Sequence, residues 1–274
     1  MKINEIINEV VTEAEVKPYD VEKLEVARAV ELLNQYCSES LSLIQRPIWR
    51  GIRHDFGTIM KIDPTTGIRK SNNTMNYYTE LMDNSPYFAG WPMRSRSLVC
   101  STDTFKAQNY GAKYAIFPFN GVKIAVCPGS DIFDTQVSLP ELMEHSLSFG
   151  GGYASLVWYL NNLGLPDNYE GMVEATSSPK FKQKLARTNK RLSVYKMFGF
   201  IQNPKLSENF VTMLQKAMAP ANTGFELVTI EQFASRPTEG KEGRSRELWI
   251  GGPVIAIKHD LYNRFLHAFN KGQK

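Results

Sequence analysis

The side chains able to act as nucleophiles, bases or metal ligands are few, and their spacing excludes several kinds of chemistry. The chain carries 4 histidines: His54, His145, His259 and His267. None stands in the HExxH spacing that sets two imidazoles on one helix face around zinc. The 3 cysteines, Cys37, Cys100 and Cys127, follow no metal-ligand spacing and have no matching histidine motif for thiol catalysis. There is no GxSxG nucleophile elbow and no GxGxxG dinucleotide fingerprint. Gly150-Gly151-Gly152 lacks the lysine and hydroxyl residue of a phosphate loop; three glycines in a row read instead as a hinge or a close backbone approach. Three polar segments remain, far apart in the chain. Arg50 follows Ile48-Trp49 at a strand end, and a guanidinium there offers a rigid five-donor fork for phosphate. Ser101-Thr102-Asp103 stands where a strand enters a helix. Glu247 opens a strand directly after a polar loop. Each also has a plain structural reading: a surface arginine, a helix N-cap and a loop-edge charge.

Taken together, Trp49-Arg50-Gly51, Leu98-Val99-Cys100-Ser101-Thr102-Asp103 and Ser245-Arg246-Glu247-Leu248-Trp249-Ile250 resemble the R-S-E class of ADP-ribosyltransferases. In that family a first-strand arginine sits beside an aromatic residue and before glycine. A second strand ends in Ser-Thr-Ser ahead of a helix carrying an alanine and an aromatic residue, matched here by Ala107 and Tyr110. A third strand opens on the catalytic glutamate. The resemblance implies NAD as substrate, with Arg50, Gly51, Ser101, Thr102 and Tyr110 binding it. It implies Glu247, Arg50 and Ser101 as the catalytic set. It also implies an acceptor, a host protein or nucleic acid, held by Arg244 and Arg246 in the loop before Glu247. Two positions depart from the pattern. Asp103 replaces the last serine of Ser-Thr-Ser, and Ser245 stands where many relatives carry the Glu or Gln that helps choose the acceptor. The segment from Arg94 through Pro118 also resembles uncharacterised tailed-phage proteins.

The elements that must position these residues read as an α+β chain, a single mixed domain. Residues 1–46 read as N-terminal helices, with Ile3, Ile6, Ile7 and Val10 on one face of the first and Asp20 capping the second, which runs through Cys37. Residues 47–134 read as the first half of an ADP-ribosyltransferase-like β core. It holds strands near 47–51 and 97–101, a helix from 73 to 83 capped by Asn72 or Asn73, and a helix over 104–110 closed by Gly111. Strands 114–117 and 122–126 are joined across Asn120-Gly121, a dipeptide that favours a tight hairpin. Residues 135–220 read as a long helical insertion, with helices over 139–149, 153–163, 181–190 and 206–219. Residues 221–274 return to β structure, with strands at 225–228, 247–250 and 254–257 and a closing helix from 260 to 269. The polar run 235–246 reads as a mobile loop.

Composition sets the outer bounds. The chain has 274 residues, 42% hydrophobic and 22% charged, ordinary globular values that permit a core without staples. An odd cysteine number argues against a disulfide framework and for a reducing, cytoplasmic home. The charged N-terminal stretch has no apolar core of a signal peptide, and no apolar run suits a membrane helix, so no membrane association is expected. The net charge of +4 fits either a solvated surface or a phosphate-bearing partner. Two other readings stand beside the enzyme: a non-catalytic phage structural or host-interaction protein, and a nucleic-acid binder using Arg187, Lys190, Arg191 and Lys196.

Overall fold

Short, largely buried runs build the strands that carry the three segments. The computed structural model describes residues 19–53, 57–71, 75–135, 152–192, 210–235 and 245–272. Among them the strands are β1 (Asp20–Lys23), β2 (Ile48–Ile52), β3 (Ile59–Asp63), β4 (Leu98–Ser101), β5 (Ala112–Pro118), β6 (Ile124–Val126), β7 (Glu226–Val228), β8 (Glu247–Ile250) and β9 (Val254–Lys258). They join in one sheet of order β1-β3-β9-β5-β2-β4-β8-β6-β7, and each pairing is antiparallel. The chain is therefore of the α+β class.

The helices are α1 (Val26–Tyr36), α2 (Tyr77–Asp83), α3 (Thr104–Gln108), α4 (Gly152–Asn162), α5 (Tyr169–Ser177), α6 (Phe181–Leu192), α7 (Phe210–Ala217), α8 (Pro220–Thr223), α9 (Ile230–Ala234) and α10 (His259–Gly272). They sort the core into three parts. One face of the sheet carries a cluster that runs through Ile48, Tyr114 and Ala256 and on through Cys100, Leu248 and Val126. The other face is divided. Around Trp49, Ala115 and Ile257 it is covered by α1 and α10, through Leu33 and Tyr262. Around Ala125 and Trp249 it is covered by helices of the middle region, through Tyr153, Leu160, Phe181 and Leu214. The described helices of 135–220 thus form a layer on the β6–β8 side of the sheet.

Several local expectations change. Asp20 caps no helix: it lies in β1 opposite Asp63, its amide donates to Thr66 Oγ1 at 2.9 Å, and α1 begins after Glu25 without a side-chain cap. Pairing with β3 satisfies this short stretch better than one added helical turn. β3 has no counterpart among the strands expected from the sequence, and it ends in a turn at Asp63-Pro64. That turn is real, with the Asp63 carboxylate accepting from Thr65 N at 3.0 Å. β5 and β6 do not pair with each other. β5 lies between β2 and β9, and β6 between β8 and β7. Asn120-Gly121 still forms a turn, with Gly121 at φ 75°. Its polar groups are tied sideways, however: Asn120 N donates to Tyr36 O and Gly121 N to the Glu39 carboxylate, so the chain leaves the turn toward a different neighbour. Asp103 caps α3, accepting from Phe105 N at 2.8 Å. α5 has no counterpart among the helices expected from the sequence; Asn168 caps it, accepting from Gly171 N at 2.8 Å. The expected helices over 2–15 and 139–149, and the caps Asn72 and Asn73, fall outside the described residues.

All 3 cysteines are free and buried, and burial pushes each thiol up to about 12. Because the thiolate is the reactive form, native protein at pH 8 should leave Cys37, Cys100 and Cys127 unlabelled by a disulfide reagent such as DTNB. Denatured protein should titrate all of them. Native labelling at the rate of a free thiol would show that the three sites open readily.

Candidate functional site

β2 and β4 are far apart in the chain, yet they meet at the centre of the sheet through a single register pair, Trp49 with Ser101. On either side the ladders are full: β2 runs against β5 from Ile48–Ile116 to Ile52–Ala112, and β4 runs against β8 from Leu98–Ile250 to Ser101–Glu247. Past Trp49 the two central strands splay. Arg50, Gly51 and Ile52 form one wall of the gap, and Leu98, Val99 and Cys100 the other, enclosing a cleft of about 600 Å³. That volume lies within the range of small-molecule sites, about 300–1,000 Å³.

The splay explains how residues from opposite faces of the sheet share one site. Side chains alternate along a strand. Trp49, Ser101 and Glu247 form a row across the sheet and so project to one face, whereas Arg50 projects to the other. In a closed sheet the backbone would separate them. Here Arg50 reaches into the gap. Its Nη1 donates to the Val99 carbonyl at 2.6 Å, serving where a ladder amide would, and its guanidinium carbon lies 5.8 Å from the Tyr110 ring centre. Arg50, Gly51, Ser101, Tyr110 and Glu247 all line the cleft. Trp49 touches it too, but its ring packs against Tyr262 in the core.

The end of β4 is held by short polar links. Ser101 Oγ accepts from Asp103 N at 3.0 Å. Thr102 is tied to the residue before Glu247 at both ends: its amide donates to Arg246 O at 3.0 Å, and its Oγ1 accepts from Arg246 N at 2.8 Å. Thr102 thus fixes the two strand ends to each other and does not line the cleft. Arg246 does not line it either; its Nη1 lies 3.3 Å from Glu226 Oε1 on β7. Arg244 falls outside the described residues.

Glu247 is 9% exposed. Its Oε2 accepts from Ile132 N at 3.3 Å, and its Oε1 stands 2.7 Å from Arg94 Nη1. Arg94, only 3% exposed, was not singled out from the sequence as a site residue. It occupies the short 3-10 turn Arg94–Arg96, which Asp83 pins by accepting from Arg94 N at 2.6 Å and Ser95 N at 2.9 Å. Its guanidinium sits over the rings of Tyr78 and Trp249, at 5.3 and 5.4 Å. Burial alone would lower its pKa, but the Glu247 carboxylate and Tyr78 outweigh burial and hold it above the ordinary arginine value. The contact has the distance of an ion pair without the alignment of a hydrogen bond, so Arg94 Nε and Nη1 and Glu247 Oε1 all lack an aligned partner. Arg69, also in the cleft wall, is pushed down to about 10 by burial and then by the nearby Arg94 charge. No local pattern marks either arginine; each takes its place from the tertiary fold.

The basic stretch 180–191 forms α6. Phe181 and Leu185 are buried while Lys182, Lys184 and Arg187 face outward, the amphipathic pattern of a helix packed on one side. Among the described residues no helix is long and apolar enough to cross a membrane. Comparison with known proteins finds no matching family model, curated protein or solved structure.

Two predictions follow from this packing. A Cβ on Gly51 would stand 1.9 Å from the Ala107 carbonyl oxygen and 2.9 Å from Tyr110 Cβ. Backbone cannot yield cheaply there, so Gly51→Ala should lower stability by about 1–3 kcal/mol, as overpacking does, with a lower urea midpoint as the measure. A parent-like midpoint would mean that α3 lies farther from β2. Breaking a buried ion pair costs about 3–5 kcal/mol, whereas replacing both partners by apolar groups costs far less. Urea unfolding should therefore find Arg94→Met/Glu247→Leu closer to the parent than Arg94→Met alone. A double variant that loses the sum of both single losses would show the two charges to be uncoupled.

Proposed function

We propose that the chain is an NAD-dependent ADP-ribosyltransferase. The observation that carries this reading is that Arg50, Ser101 and Glu247, drawn from three distant segments, line a single nucleotide-sized cleft. Supporting it, Ser101 and Glu247 are direct cross-strand neighbours. Six cationic side chains, Arg50, Arg53, Arg69, Lys70, Arg94 and Lys106, line the cleft against two carboxylates, Asp131 and Glu247. That is a local excess of positive charge suited to an anionic substrate.

In this reading Arg50 grips an NAD phosphate or ribose with the guanidinium donors that Val99 does not take. Tyr110, 36% exposed at the cleft wall, offers a face on which the nicotinamide ring can stack. Glu247 accepts a hydrogen bond from a hydroxyl of the nicotinamide ribose and stabilises positive charge that develops at the anomeric carbon. Ser101, opposite it, supports both the carboxylate and the ribose. The bond from that carbon to the nicotinamide nitrogen breaks, its electron pair leaving with the neutralised ring. An acceptor nucleophile forms the new bond and releases its proton. A fixed carboxylate in a part-buried cleft acts strongly because little solvent reorganises around it. Arg246 is tied to Glu226 by a partly exposed ion pair, of the kind worth little to stability, and can exchange that partner for an acceptor. The acceptor class is a host protein or nucleic acid, and a phage-encoded enzyme of this type would work in the host cytoplasm.

Labelled NAD incubated with the protein and separated host protein, DNA and RNA fractions tests the proposal. The parent should release nicotinamide and label one fraction. Glu247→Gln should lower both by roughly a hundredfold or more, the usual scale for removing one preorganised electrostatic group. Ser101→Ala should lower them less. No release above the Glu247→Gln background, from protein with parent-like circular dichroism, would refute the proposal.

A further inference from the structure

The inner end of the cleft holds more positive charge than its own residues neutralise. Arg69 and Arg94 both border it, with Arg50 across the gap. Among the described residues the partners of these guanidinium groups are few. Arg50 Nη1 is occupied by the Val99 carbonyl. Arg69 Nη1, Arg94 Nε and Arg94 Nη1 are buried with no hydrogen-bond acceptor. The one carboxylate facing Arg94 is Glu247, at 2.7 Å. Asp83, the other acid nearby, is engaged with the amides of Arg94 and Ser95. Buried polar groups are normally satisfied, and buried like charges repel strongly where the dielectric is low. Burial and then the nearby Arg94 charge both lower the pKa of Arg69. Buried guanidinium donors that no protein group satisfies define the chemistry of a ligand that could pair with them. It must be anionic, rich in acceptors and small enough to reach both arginines, and guanidinium groups suit phosphate oxygens in this role.

We infer that Arg69 and Arg94 form a diphosphate-binding site at the inner end of the cleft, and that filling it transfers Arg94 from Glu247 to the ligand, releasing the Glu247 carboxylate. Arg94 holds Glu247 by charge without an aligned hydrogen bond, and a phosphate that offers Arg94 aligned, charged acceptors compensates it in place of the carboxylate. The Ile132 amide retains Oε2, which keeps the carboxylate in place while Oε1 becomes available. The inference does not require that NAD be the substrate or that any reaction occur, and its test uses neither.

Isothermal titration at low ionic strength with inorganic pyrophosphate measures the site directly. The parent should show saturable one-site binding. Arg69→Gln, which keeps a polar side chain but removes the buried charge, should weaken it at least tenfold. Glu247→Gln removes the competitor for Arg94 and should tighten binding severalfold. Asp131→Asn removes a carboxylate that also lines the cleft but whose side chain accepts from Phe133 N; it should tighten binding much less. Circular dichroism melts confirm that each variant is folded at the titration temperature. Absence of saturable binding, or equal binding by Arg69→Gln and parent, overturns the site. Equal gains for Glu247→Gln and Asp131→Asn overturn the transfer of Arg94, since bulk charge would then explain both. A further titration with ADP separates the sources of the diphosphate group. Tighter binding than pyrophosphate assigns the site to a nucleotide, and equal binding assigns it to a free anion.

Discussion

The single residue pair that joins β2 to β4 is the constraint on which the candidate site depends. A sheet is a continuous hydrogen-bonded surface, and its pleat keeps adjacent side chains of a strand on opposite faces. Had the ladder continued past Trp49 and Ser101, Arg50 would be walled off from Glu247 by backbone. Because it stops there, the sheet contains a gap at its centre rather than only at its edges, and side chains of both faces meet in it. The surrounding structure holds the gap open from several directions. Full ladders to β5 and β8 fix the outer sides of both strands. α3 leans on β2 so closely that only glycine fits at position 51. Thr102 and Arg246 lock the ends of β4 and β8 together.

Opening a sheet leaves backbone groups to be satisfied, and burying charges in the opening is costlier still. The ion pair of Arg94 with Glu247 illustrates the second cost. Two charges this enclosed are poor contributors to stability, since desolvation consumes what attraction provides. A well-packed apolar pair would hold the β8 end as well or better. The surroundings accommodate the charges all the same, with Tyr78 and Trp249 giving Arg94 aromatic faces and Asp83 anchoring its turn. Arg69 and Arg94 are perturbed ionisable groups that converge on one cleft, the kind of arrangement that marks a candidate site.

What could be read from the sequence divides along the same physical line. Strands β2, β4, β8 and β9 were legible because short apolar runs bounded by Gly, Pro or polar residues carry their own signal. The positions Arg50, Ser101 and Glu247 were legible because each sits at a strand end that such runs define. Pairing was not legible. Asn120-Gly121 encodes a turn, and the turn is present, but a two-residue signal cannot state which strand receives the chain afterwards; contacts from Tyr36 and Glu39 decide that. Asp20 looked like a cap for a helix because its possible partner, β3, lies some forty residues away. Arg94 and Arg69 show no periodicity or motif, since their function in the fold is set by what surrounds them and not by their neighbours in the chain.

Arg50 shows how closely the structural and the chemical requirements are joined. The gap in the sheet leaves the Val99 carbonyl facing open space, and Arg50 Nη1 satisfies it at 2.6 Å. That bond uses one of five donors on a planar group that cannot lose its charge. The same side chain can therefore stitch the opening and still present donors to whatever enters. A lysine could supply the charge but not both directions at once, and a neutral amide could satisfy the carbonyl but not attract an anion. The residue type at position 50 thus satisfies the break in the ladder and leaves further donors at the cleft wall. The plain reading of Arg50 as an exposed surface arginine does not account for its contact with β4, and the reading of it as a ligand residue alone does not account for the stability of the opening.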